Sequence, residues 1–274
     1  MFTLGSNIVG AELDHPDNAG LACLLVGLSP WDGGNALCDL SGKTAGAALA
    51  GGAAWAGTPY GQSGLSLNGS SGYATATPKL AGATAATVAG WFRGVWAGSY
   101  QILFEYSPDG LATNGGFVVY ADNGGGVLTV GCNDGSASTS RLVARPAAGA
   151  WFRLAASFDL SQPGASKIRC WLNGLPAPFT GSPSTSNVTG TVGAYTLNIG
   201  CRNAASLFFA DRIAGLSVSA VARSDAWAAR DYEWSQDPQR DPRFRRTSTR
   251  SLFVTAAGVP TTCYVPAFAC GFGW

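Results

Sequence analysis

Residues 240–250 read RDPRFRRTSTR and hold five arginines: Arg240, Arg243, Arg245, Arg246 and Arg250. Guanidinium groups at that density suit phosphates or the carboxylates of a partner. Phosphate binding through them would be strongly salt-dependent. Two features speak against a nucleic-acid grip. The whole chain carries a net charge of only +1, and Asp237 and Asp241 are interleaved with the arginines. The segment also contains no lysine and runs straight into the apolar tail SLFVTAAGVPTTCYVPAFACGFGW. Arginine beside Phe244, Leu252, Phe253, Tyr264 and Phe268 is the composition of a protein–protein anchor. An extended arm of this kind can add a strand to a neighbour's sheet edge. Arg243, Phe244, Arg245, Arg246, Arg250 and Phe253 are therefore read as partner-binding. The other reading stays open: the arm folds back on its own body and its arginines solvate the surface.

Catalytic constellations are missing. The three glutamates, Glu12, Glu105 and Glu233, are isolated from one another, and no strand pairs two carboxylates for acid–base work. The one histidine, His15, precedes Pro16 and reads as a capped turn before the first strand. There is no GxSxG elbow and no phosphate-binding glycine loop; NGGGVLTVG is a hairpin turn by context. The seven cysteines, at 23, 38, 132, 170, 201, 263 and 270, form no CxxC pair. With one histidine they match no common zinc pattern. Their odd count and apolar neighbours make them reduced core residues. No enzyme activity, cofactor or metal is expected.

The elements that would position any site are strands. Gly is 38 of 274 residues and charged residues are 12%, which suits short strands and tight turns over helices. GLSLNG, SYQILFEYS and SKIRCWLNG read as alternating strands, and TAATVAGWFRG places Val88, Gly90 and Phe92 on one face and Ala89, Trp91 and Arg93 on the other. In SYQILFEYS the expected alternation sets Tyr100, Ile102, Phe104 and Tyr106 against Gln101, Leu103 and Glu105. Residues 115–135 and 150–178 read as hairpins, the second with an Asn-Gly turn at 173–174. One helix is expected over 224–237, with Ser224 as N-cap and Trp227 and Trp234 on one face. Two prolines in DPQRDP then break it. The fold class is all-β: a two-sheet antiparallel jelly-roll sandwich, one short C-terminal helix and an extended C-terminal arm. The domains are an N-terminal segment 1–18, the sandwich 19–237 and the arm 238–274. The apolar run LACLLVGL (21–28) is too short to span a membrane, and the N-terminus has no signal-peptide pattern.

An ordered set of phrases carries a resemblance: DLSGKTAGAAL, WAGTPYGQSGLSLNGSSGYATA, TVAGWFR, AWFRLAASFD, CWLNGLPA, LNIGCRN and FADRIAGLSVSAVARSDAW. Together they resemble the concanavalin A-like, laminin-G-like jelly-roll superfamily. The resemblance implies a lectin-like sandwich. It also implies rim positions for calcium at Asp39 and Asn68, where turn-stabilising roles fit better because Asn68 lacks the carboxylate charge calcium prefers. The glycoside hydrolases of that superfamily use a Glu-x-Asp-x-Glu strand, which this chain lacks. Candidate glycan-binding residues are Tyr73, Trp96, Tyr100 and Asn114, with Trp31 and Asn123 as further contributors. The combination of His15-Pro16, QRDPRFRR and SLFVTAAG resembles structural proteins of tailed bacteriophages. That implies a non-enzymatic virion component, in head decoration or tail, assembled in the host cytoplasm. It would contact other virion proteins through the arm and host glycans through the sandwich, with no nucleic-acid or membrane partner; a homo-oligomer is compatible. The competing reading is a bacterial carbohydrate-binding module for cell-surface or environmental glycans.

Overall fold

The computed structural model describes residues 7–27, 34–60, 62–96, 98–108, 110–133, 137–187, 189–238 and 240–247. The chain opens with β1 (Asn7–Ala11), β2 (Leu21–Leu25), β3 (Ala36–Leu37), β4 (Ala47–Ala50), β5 (Ala54–Gly57), β6 (Ser63–Asn68) and β7 (Tyr73–Ala76). There follow β8 (Ala85–Gly94), β9 (Gln101–Tyr106), β10 (Phe117–Ala121), β11 (Val127–Asn133), β12 (Ser138–Ala144) and β13 (Trp151–Asp159). It closes with β14 (Ile168–Leu172), β15 (Leu175–Pro176), β16 (Phe179–Ser184), β17 (Leu197–Ile199), β18 (Ala210–Ser219), α1 (Asp225–Ser235) and β19 (Phe244–Thr247).

Two antiparallel sheets form the sandwich. One runs β16-β12-β11-β10-β9-β17-β7-β4-β3; the other runs β15-β14-β13-β8-β18-β6-β5, with β2 also on β18. Alternation sends one face of each strand inward. On β8, Val88 and Phe92 enter the core while Thr87, Trp91 and Arg93 face away. Phe92, Phe104, Phe117, Phe152, Phe158 and Tyr106 fill the space between the sheets, with Phe117 and Phe158 stacked at 4.7 Å. The Asn-Gly turn has φ of 51° at Asn173 and 77° at Gly174, as a two-residue hairpin of the favoured twist requires.

One strand departs from simple alternation. The register of β9 against β10 slips between Val119 and Tyr120, so Phe104 faces Val119 while Ile102 faces Tyr120. The extra residue, Leu103, joins Phe104 and Tyr106 in the core, because a bulge places two consecutive side chains against one partner. Glu105 is then left on the outer side.

Asp39 and Asn68 both fasten turns. The Asp39 carboxylate accepts from the amides of Leu24, Ser41, Lys43 and Thr44 and from the hydroxyls of Ser41 and Thr44. Asn68 Oδ1 accepts from the amides of Ser70, Ser71 and Gly72. Cys23, Cys170 and Cys201 are buried and hold free thiols, and Cys132 is buried as well. Burial pushes the Cys170 thiol up to about 12 and that of Cys201 to about 11. No helix among the described residues is long and apolar enough to cross a membrane.

The helix matches its expected start. Ser224 Oγ accepts from Trp227 N at 3.3 Å, and Trp227 packs into a small core with Trp171, Ala89 and Ala155 on the outer side of the second sheet. His15 caps a short turn through Nδ1, which accepts from Asp17 N at 3.2 Å.

Two left-handed glycines separate strain from collision. Gly42 (φ 68°) has open space around it, whereas a Cβ at Gly51 (φ 62°) would overlap the Ser71 carbonyl oxygen. Gly42→Ala should cost about 1 kcal/mol, and Gly51→Ala clearly more, about 2 kcal/mol or above. Urea unfolding of both variants checks the order.

Candidate functional site

Two regions concern the residues singled out above: the root of the C-terminal segment and the outer face of the nine-stranded sheet. At the root, Pro238 and Pro242 stop the helix and turn the chain back. Asp241 Oδ1 accepts from Arg243 N at 2.9 Å, a local turn that swings the Arg243 side chain inward. There it donates from Nη2 to Asp241 Oδ2 at 2.7 Å and from Nη1 to Asp231 Oδ1 at 2.6 Å. Asp231, on α1, also accepts from Arg153 of β13, Nε to Oδ2 at 2.8 Å and Nη2 to Oδ1 at 3.0 Å. Asp231 and Asp241 are each 1% exposed, Arg153 4% and Arg243 8%. Burial opposes ionisation of Asp231, but the charges and hydrogen bonds of Arg153 and Arg243 overcome it and hold its carboxyl down to about 2.

Phe244 follows Arg243 inward and packs with Ala11, Leu21, Leu24, Val26 and Leu40. Arg243 and Phe244 thus belong to the chain's own packing, where the sequence set them in a partner-binding arm. The reason lies in the fold: Asp241 and Asp231 offer Arg243 two carboxylates, and β2 offers Phe244 an apolar seat. Arg245 and Arg246 lie in β19, paired with Gly10 and Ile8 of β1. Arg250, Phe253 and Trp31 lie outside the described residues. A small cavity beside this knot is lined by Asn18, Leu24, Gln62, Arg153, Ser217 and Phe244, with about 30 Å³ of room, enough for one or two waters.

The outer face of the nine-stranded sheet carries the other set. Glu105 sits centrally, between Asn198 of β17 and Val118 of β10. Its Oε1 accepts from Arg202 Nε at 3.2 Å; Glu105 is fully buried while the Arg202 side chain is 29% exposed. Arg202 opens a tight turn in which its N–H donates to Ser206 O at 2.8 Å and its carbonyl accepts from Ala205 N at 2.9 Å. Asn203, Ala204 and Leu207 are left-handed there, with φ of 48°, 56° and 53°. Alanine and leucine in that region each cost about 1–2 kcal/mol, so the surroundings hold the turn in shape. Ile102 N donates to Leu207 O at 2.9 Å and pins it to β9.

Rings flank the turn. Tyr73 lies against Phe208 with centroids 6.3 Å apart, and Tyr100 against Tyr120 at 5.9 Å. Tyr100 is 46% exposed. From β7 to β10 is three strand spacings, ~14 Å. The fold therefore places Tyr73 and Tyr100 on one surface with the Arg202–Glu105 pair between them.

Trp96 and Asn114 do not join it. Trp96 folds back over Gly94, where a Cβ would overlap its ring, and packs against Phe152 and Phe209. Its indole N–H donates to Pro146 O at 2.8 Å, so it closes the end of the core instead of facing a ligand. Asn114 is exposed and near the far end of β9, where its carbonyl accepts from Tyr195 Oη at 2.6 Å. Asn123 is exposed in the turn between β10 and β11. Sequence reading did not single out Arg202, Phe208 or Tyr120 for this surface, nor Glu105 except as a lone carboxylate. The available signal was Glu105 itself, a charge inside the apolar strand QILFEY. Among the described residues no group of three or more His, Cys, Asp or Glu is placed to hold a metal.

The fold is similar to that of several solved binding domains. The binding domain of botulinum neurotoxin DC in complex with SialylT matches with a TM-score of 0.56 at 12% identity, over 80% of this chain and 52% of that one. The botulinum neurotoxin serotype D binding domain matches at 0.55 and 13%, over 78% and 50%. Domain 4 of AbnA, a GH43 extracellular arabinanase from Geobacillus stearothermophilus, in complex with arabinotriose, matches at 0.54 and 15%, over 76% and 96%. The chain spans about half the length of the neurotoxin domains. At these identities the likeness is one of fold. No protein-family model matches the chain, and no curated protein matches it significantly.

The buried knot sets two expectations. Arg243→Ala should cost about 3–5 kcal/mol, because it takes a buried cation from two buried carboxylates and leaves Asp231 to Arg153. Arg240→Ala, at a side chain 89% exposed beside Asp237, should change stability by about 0.5 kcal/mol or less. Because Asp231 titrates at about 2 in the folded chain against an ordinary 3.8, its stabilisation is complete above that ordinary value. It is lost as pH falls through the folded value, a decline of about 2 kcal/mol. Urea titrations across acid pH measure it.

Proposed function

We propose that the chain is a non-catalytic recognition module that binds glycans on the outer face of its nine-stranded sheet. The observation that carries this reading is the pair of ring sets, Tyr73–Phe208 and Tyr100–Tyr120, on either side of the Arg202–Glu105 ion pair. Sugar rings present apolar C–H faces that stack on aromatics, while their hydroxyls take hydrogen bonds from fixed polar groups. A strained, pinned turn supplies such fixed groups without an ordering cost on binding. The structural neighbours support the class of ligand: one is in complex with SialylT and another with arabinotriose. Glu105 is engaged by Arg202, which fits positioning and leaves no acid–base pair for hydrolysis.

A second reading rests on β19. It brings the chain to β1 at the margin of the sandwich, so whatever follows residue 247 starts from a fixed point. That suits a non-enzymatic virion component of a tailed phage, displayed by its sandwich and docked through the following arm.

The glycan reading is tested by calorimetry with arabinotriose and a sialylated trisaccharide. Tyr73→Ala and Phe208→Ala should each weaken binding about tenfold, close to 1.4 kcal/mol, with the unfolding midpoint nearly unchanged. Equal affinity in wild type and both variants would remove this face from the reading. The assembly reading is tested by pull-down from a lysate of assembling particles, with the full chain against one ending at Thr247. Retention of virion proteins by the full chain alone, surviving salt and nuclease, supports the arm; equal failure of both removes it.

A further inference from the structure

The outer face of the eight-stranded sheet carries a separate cluster of aromatic and charged groups. Its row runs across three strands: Trp151 of β13 is opposite Arg93 of β8, and Arg93 is opposite Arg212 of β18. Phe152, Phe92 and Ile213, their chain neighbours, are core residues, so all three side chains of the row point outward. Trp151 is only partly buried. On its other side β14 stops at Leu172, opposite Leu154, so no strand flanks Trp151 there.

Three features fix this patch. Tyr60 leans over it, stacked on the buried Trp91 at 3.8 Å and 23°, and meets Trp151 edge-on at 6.2 Å. The Arg93 guanidinium lies 6.0 Å from the Trp151 ring centre. Asp211 takes Arg93 in a two-pronged pair, Nε to Oδ2 at 2.7 Å and Nη2 to Oδ1 at 2.6 Å, and lies 3.9 Å from Arg212 Nε. Arg212 Nη1 donates to Gly57 O at 2.9 Å.

The backbone of Asp211 is the outlier. Its φ is 109°, a region that side chains rarely adopt, and strain of this kind clusters where geometry serves binding. It turns the Asp211 carboxylate outward to hold the two arginines side by side. The carboxylate is 9% exposed, while the side chains of Arg93 and Arg212 are 29% and 33% exposed. What solvent meets is therefore two guanidinium groups over one covered carboxylate, beside an indole.

We propose that this patch is a second binding site, for an acidic saccharide. The pyranose face stacks on Trp151, and the carboxylate of the sugar is taken by the exposed edges of Arg212 and Arg93. The site is on the opposite sheet from Tyr73 and Arg202 and shares no residue with that surface, so each stands or falls separately. The excess of one positive charge in the patch selects a uronic acid over a neutral hexose.

The experiment uses the ¹⁵N-labelled full chain, with the Trp151 indole resonance identified through Trp151→Phe. It is titrated with methyl β-glucuronide and, separately, with methyl β-glucoside, each to tens of millimolar. The expected result is a saturating shift of the Trp151 indole and of the Arg93 and Arg212 Nε resonances with the glucuronide. The shift weakens with added salt and is at least severalfold weaker with the glucoside. Arg212→Gln, a surface change, and Trp151→Ala should each abolish saturation, and Tyr73→Ala should leave it intact. Absence of a Trp151 shift with the glucuronide overturns the site. An equal response to both sugars, or an unaltered response in Arg212→Gln, overturns its acidic preference.

Discussion

A carboxylate with no access to water has to be matched where it lies, and Asp231 is matched from two directions at once. Arg153 reaches it from the sandwich and Arg243 from the segment after the helix. Burying a charge this deeply is costly unless every side is paired, so the helix, the sandwich and the returning chain must assume one mutual geometry. Other contacts follow from that choice. Asn18 Nδ2 donates to Arg243 O at 3.0 Å and Trp227 Nε1 to Asp17 O at 3.1 Å, which draws in the N-terminal segment. Arg230 pairs with Asp17 at 2.7 Å on the rim. Well-packed apolar residues in place of the knot could match its stability. What the knot adds is direction: one register for the helix and one exit for the chain.

The same knot makes the two faces of the sandwich unequal. The eight-stranded sheet gives much of its outer face to α1, through Trp171, Trp227 and Ala228, and to the segment around Arg243. What it leaves open is the row ending at Trp151. The nine-stranded sheet has no helix of that size on it among the described residues. The short turn at 202–206 lies on one part of it and Leu111 lies over Gly131 on another, and rings that would be buried elsewhere remain partly exposed beside the first.

Legibility in the sequence followed the range of the deciding contact. Alternation in TAATVAGWFRG and SKIRCWLNG was readable, since Val88, Phe92, Ile168 and Cys170 are apolar at period two and the core takes all four. The helix start was readable from Ser224, whose cap bond spans three residues. The bulge at Leu103 was not, because it exists only relative to β10. Nor was the inward turn of Arg243: the proline breakers announced a change, but Asp231 and Arg153 meet it only through the fold. Trp96 was misplaced for a similar reason, since the bare face of Gly94 that receives its ring does not show in a run of residue types. The candidate surface was the least legible, because Arg202 and Glu105 are 97 residues apart in sequence.

The distribution of strain ties the two surfaces together. Where the described chain needs a left-handed residue it uses glycine at seventeen positions and another residue at five, Asn173, Asn203, Ala204, Leu207 and Asp211. Four of those five fall between 203 and 211, in the crossover from β17 to β18 and the start of β18, where the chain passes from one sheet to the other. Glycine at such positions relieves strain at little cost to the folded state, so side chains kept there are held against local preference. The turn is fixed at one end by Arg202 on Glu105 and at the other by Asp211 on Arg93. One strained connection thus sets the geometry of an ion pair on each outer face. A displacement at either end must be absorbed within nine residues, four of which already hold unfavoured backbone, so both surfaces are held in a single shape.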